Sequence, residues 1–105
     1  MEVNILGTTY EIEKLDEKDS CMLKNNADAY VDYTEKKIFL HKGDVMINVS
    51  LRHELVHAFM YEAGIEFGYQ FHNEDVVNYI ATIFPKLEEA FKTTKLNVNG
   101  VTARN

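Results

Sequence analysis

Residues 52–64 read RHELVHAFMYEAG, the stretch around which the rest of the chain is arranged. From Asp44 to Ala63 there is no glycine or proline, Asp44 is placed to cap a helix, and Gly64 is placed to stop it. Ser50 is an alternative cap with a later start. Val49, Leu51, Leu55, Val56, Ala58, Phe59 and Met60 surround this helix instead of lining one stripe, which predicts a buried helix. His53 and His57 lie four apart, one turn above the other, so both imidazoles can point at one ion. Glu54 lies about 100° further round the helix, beside such an ion, where a carboxylate can take a proton from water activated there. HExxH on a helix is thus a pattern with a mechanism: two nitrogen ligands for zinc and a general base. Two imidazoles and an acid under apolar cover also need partners of some kind.

Working outward, residues 1–15 favour two short strands, VNILG and TTYEIEKL, with Gly7 at a turn. DEKDSCMLKNNAD is a polar connection. AYVDYTEKKIFLH predicts a β-hairpin over about residues 28–41 with its turn near Thr34–Lys36. After the motif helix, GIEFGYQFH is a connection, and Asn73 caps a second helix with Glu74 and Asp75 in its first turn. Val77, Ile80, Phe84, Leu87 and Phe91 give that helix one apolar face. Pro85 either kinks it or opens a further helix. The polar end, TTKLNVNGVTARN, has a turn signal at Asn99-Gly100 and is expected to fray from about residue 96. The expected fold is α+β: a small antiparallel or mixed sheet with a hairpin packed on the HExxH helix, and a second helix beside it.

The 105 residues suit one domain, and 46% hydrophobic content is enough for a modest core that a bound metal would help to stabilise. The net charge of −6, with no basic stripe, argues against a nucleic-acid partner. No stretch has the length of a membrane span, and the acidic start is unlike a signal peptide. One cysteine, Cys21, gives no internal disulfide and has no activating histidine nearby, so a reducing, cytoplasmic setting is expected.

Two histidines leave zinc short of ligands. Met60 and Ala63 stand where the longer metzincin pattern has its glycine and third histidine, which excludes that class. The third ligand is expected in FHNEDVVNYIA: Glu74 first, since His2Glu plus water is an established catalytic zinc set, with His72 as the alternative. Asn78, four residues beyond Glu74, is expected to orient a ligand histidine from outside. Tyr61, Tyr69 and Tyr79 flank the region as candidate oxyanion donors, and His41 is expected at the surface.

HELVH paired with EDVVNYIA resembles the ImmA/IrrE-type metallopeptidases, small zincins common in phages and mobile elements. The likeness runs over about residues 28–85. It implies one Zn2+ per chain held by His53, His57 and Glu74, with Glu54 as general base. It also implies a zinc endopeptidase acting on a protein or peptide, for example a repressor-like regulator. Val77 stands where that family has a small residue, Ile80 where it has an aromatic, and Pro85 comes early. In such zincins the outer hairpin strand is a sheet edge that pairs with substrate, which assigns this role to Lys37, Ile38, Phe39, Leu40 and His41. The competing expectation is a zinc-stabilised, non-catalytic interaction module of phage or mobile-element origin.

Overall fold

A computed structural model describes residues 1–16 and 28–94. Cys21 and the Asn99-Gly100 turn signal lie outside these residues. Six elements follow one another: β1 (Glu2–Ile5), β2 (Thr8–Leu15), β3 (Ala29–Asp32), β4 (Lys37–His41), α1 (Ile47–Glu62) and α2 (Glu74–Thr94). The fold is α+β, a four-stranded mixed sheet packed against two helices.

Local chemistry accounts for most of the boundaries. Leu6 and Gly7 both have positive φ, 52° and 92°, the twist of a two-residue hairpin turn. Asn4 Oδ1 accepts from the Gly7 N–H at 3.0 Å and braces that turn. Asp44 accepts from the Met46 N–H at 2.8 Å and from the Ser50 hydroxyl, so it serves the start of α1 from just outside the helix. At the other end the Gly64 N–H donates to the Tyr61 carbonyl and the Ile65 N–H to the Met60 carbonyl, both at 2.9 Å. With Gly64 at φ +92°, this is a Schellman stop. Asn73 Oδ1 accepts from the Val76 N–H at 3.0 Å and caps α2.

The sheet order is β1-β2-β4-β3, with β2 and β4 parallel and the other pairs antiparallel. Ile5, Tyr10, Ile12, Ile38 and Leu40 turn one face into the core, where Ala58 meets them. Ile47, Leu51 and Leu55 pack around the same cluster, so α1 lays a stripe at i, i+4 and i+8 on the sheet. Glu62, in the last turn of α1, accepts from the Tyr10 hydroxyl at 2.7 Å, the Thr8 hydroxyl at 3.1 Å and the Lys36 ammonium at 2.8 Å. Lys36 and then Tyr10 hold the Glu62 carboxyl below its ordinary range. This network fastens the end of the HExxH helix to β2 and to the β3–β4 turn.

Three expectations need correction. The segment Lys37–His41 is not a sheet edge. It lies between β2 and β3, with Ile38 and Leu40 almost fully buried. The hairpin was legible from local pattern, but its second strand is the one that joins β2, a choice made by pairing distant in sequence. Among the described residues the outer strands are β1 and β3. Nor is α1 buried all round: Val49 and Phe59 are exposed, because the sheet and α2 cover only two of its sides. The stripe on α2 divides likewise. Val77 is buried and Ile80 half-buried, while Phe84, Leu87 and Phe91 are exposed. Pro85 does not open a new helix; it stands inside one continuous α2.

Among the described residues, no helix is long and apolar enough to cross a membrane.

Candidate metal centre

His53 and His57 point into the space between α1 and the first turn of α2, where Glu74 meets them. Glu74 Oε1 lies 3.0 Å from His53 Nε2 and 3.0 Å from His57 Nε2, and the two ring nitrogens are 3.1 Å apart. These three residues form a group that can hold a metal ion. The edge of a tetrahedron with bonds of about 2.0–2.1 Å is about 3.3–3.4 Å, so the donors already stand close to the spacing that zinc imposes. The side chains of His53 and His57 are 21% and 7% exposed against 59% for Glu74, so the group is covered on the α1 side and open on the other.

His72 is fully buried and stands behind His57. Its Nδ1 is 2.7 Å from the Ile65 carbonyl, and its Nε2 is 2.8 Å from His57 Nδ1. A carbonyl only accepts, so His72 Nδ1 carries a proton and, in the neutral ring, His72 Nε2 accepts. His57 Nδ1 is then the donor, and the His57 Nε2 lone pair is directed at Glu74 and His53. Burial lowers the His57 pKa and favours this neutral ring. Three acceptor atoms therefore converge with at most one proton, that of His53, to share among them. A cation satisfies all three at once.

The two candidates for third ligand stand in different places. Glu74 faces the ring nitrogens of His53 and His57, whereas His72 bonds the far side of the His57 ring and fixes its tautomer. That outer role was expected of Asn78. Asn78 is exposed, and among the described residues it makes no hydrogen bond to a site histidine. His72→Leu is expected to weaken zinc binding 10–100-fold, as removal of an outer-shell partner does, without abolishing the site at saturating zinc. Titration against a chromogenic chelator measures this, and complete loss of binding would make His72 a ligand.

Glu54 is buried beside the group, 8% exposed, and makes no hydrogen bond to the described residues. Burial first, and then the nearby Glu74 charge, pushes its carboxyl up to about 7. With Asp28, Ala29, Val49, Ser50, His53 and Glu74 it lines a cleft of about 300 Å³. One wall of that cleft is the start of the outer strand β3.

Of the flanking tyrosines, Tyr69 and Tyr79 are largely exposed. Tyr61 stacks on Tyr33, with ring centroids 4.3 Å apart. Tyr33, which the sequence did not single out, has its hydroxyl pushed up to about 12 by burial and then by the Glu54 and Glu74 charges. It sits in the β3–β4 turn, and no motif spacing marks it. Phe67 packs against the rings of both His57 and His72, at 5.5 and 5.3 Å. His41 is bound locally, its Nδ1 accepting from the Gly43 N–H at 2.9 Å.

The fold and site thus define an α+β domain with a candidate His2Glu metal centre. No family model matches the chain, no curated protein matches its sequence, and no solved structure matches its fold.

Proposed function

We propose that this chain is a zinc-dependent endopeptidase of the kind its motifs resemble, the ImmA/IrrE-type zincins. The observation that carries this reading is the convergence of His53 Nε2, His57 Nε2 and Glu74 Oε1 on one point, with a buried Glu54 carboxyl beside it that makes no hydrogen bond to the described residues. Structural zinc sites usually fill four protein ligands, whereas three ligands and an open side favour catalysis over a purely folding role. When bound, zinc supplies Lewis acidity that activates water near neutral pH and polarises a peptide carbonyl.

The residues of the chain do the rest. His53, His57 and Glu74 hold the ion; His72 holds the His57 ring in the tautomer that leaves Nε2 free. The Glu54 carboxylate accepts the proton of the attacking water at one oxygen and delivers it to the amine that leaves. The substrate is an extended protein segment, in the likeness of the repressor-like regulators that the resemblance implies, and the setting is cytoplasmic. Among the described residues β4 lies inside the sheet, and β3 is the strand whose start lines the cleft.

Incubating the zinc-loaded chain with a randomised peptide library, read by mass spectrometry, tests the proposal. Cleavage that a chelator stops and added zinc restores is expected. A chain that binds zinc and cleaves no member of the library would favour the non-catalytic module instead.

A further inference from the structure

Pro85 stands inside α2 and has no N–H, so the carbonyl four residues earlier, that of Ala81, has no helical donor. Ala81 is buried, at 6% exposure, which leaves water little access to it. Arg52 of α1 supplies the donor: its Nε lies 3.2 Å from the Ala81 carbonyl oxygen. In an unbroken helix that carbonyl would already be engaged.

The position of this bond matters for the site. Arg52 immediately precedes His53. Ala81 lies seven residues, two helical turns, beyond Glu74 and on the same face of α2. The contacts between the helices step from His57–Glu74 to Arg52–Ala81, so α1 and α2 run in opposed senses with ligands at one station and this tie at the next. Glu74 is itself more than half exposed, so its place beside the histidines depends on where α2 lies.

We infer that Arg52 and Pro85 are a matched pair that sets the spacing of the two helices and so positions Glu74 against His53 and His57. Pro85 frees the carbonyl and Arg52 takes it. Arg52 is a positioning residue and touches neither ion nor substrate. The inference rests on the reading of His53, His57 and Glu74 as a cation site.

The test is a double-mutant cycle in zinc affinity, measured by competition with a chromogenic chelator for wild type, R52M, P85A and the double variant. R52M keeps the apolar stem and removes the donor. It is expected to weaken zinc binding about tenfold, within the range for outer-shell partners. P85A restores an N–H to the helix, so it should stay within about threefold of wild type, and adding R52M to it should cost less than about threefold. R52K, which keeps a cationic donor, should recover most of the loss.

An undiminished affinity in R52M, or the same loss in both backgrounds, overturns the inference. So does a tenfold loss in P85A alone, which would make the proline itself the positioning element. Should R52M fail to fold, the double variant is expected to fold and bind zinc, and its failure also overturns the pairing. A wild type that binds no zinc refutes the metal reading separately. The Arg52–Pro85 coupling is then read in the urea midpoints of the metal-free proteins, where the R52M shift should shrink in the P85A background.

Discussion

Glu54→Gln is expected to lower peptide hydrolysis by at least 10²–10⁴-fold, the range for loss of a general base, while zinc stays bound in full. The substitution keeps the size of the side chain and removes its capacity to take a proton. None of the three donor atoms belongs to Glu54, so the ion should be retained. Because Glu54 is buried and makes no hydrogen bond to the described residues, no described partner is lost with its charge. A variant that loses zinc with activity would place Glu54 among the ligands. One that keeps both would remove it from the reaction and favour a folding role for the ion.

The same substitution should stabilise the metal-free protein. The Glu54 carboxyl titrates near 7 in the folded chain, against its ordinary 4.5, with burial the larger cause and the Glu74 charge the second. Between those values the folded chain holds a proton that the unfolded chain has released, so wild-type stability falls as pH rises through this window. The full separation corresponds to about 3 kcal/mol. A glutamine is neutral throughout and carries no such loss. Urea unfolding in chelator should therefore show no gain for Glu54→Gln at pH 4, a rising gain between 4.5 and 7, and a plateau of about 3 kcal/mol above pH 7. Bound zinc should shrink the gain, since a cation beside the carboxylate offsets the charge that is costly to bury. A gain that does not change with pH would mean that packing, and not ionisation, separates the two proteins. Activity lost and stability gained by one substitution is what a strained functional group produces.

Much of this was legible because it is written locally. Gly64 and Asn73 end and begin helices through side-chain or backbone geometry that a few residues determine, and they do so in the fold, whereas Asp44, expected as the cap of α1, braces it from two residues before the actual N-cap, Met46. The convergence of His53 and His57 follows from a four-residue helical spacing, and Glu74 from its place at the head of the next helix. What escaped depends on pairing between distant segments. The hairpin does not say which of its strands will join β2, and so β4, not β3, became the inner strand. His72 and Asn78 were both near enough in sequence to serve the site. Their roles differ because the loop from Gly64 to Asn73 folds His72 under His57 and onto the Ile65 carbonyl, whereas Asn78 faces solvent. Pro85 was visible as an interruption, but the arginine that answers it lies on another helix.

The proposed centre is a single ion held by three side chains, and metal content per chain by elemental analysis tests it most directly. Wild type supplied with zinc is expected to hold close to one equivalent, His53→Ala and Glu74→Ala to hold almost none, and His72→Leu to remain loaded at saturating zinc. Wild type that stays empty under these conditions would contradict the site outright. Zinc retained in Glu74→Ala but absent from His72→Leu would contradict the assignment of its third ligand.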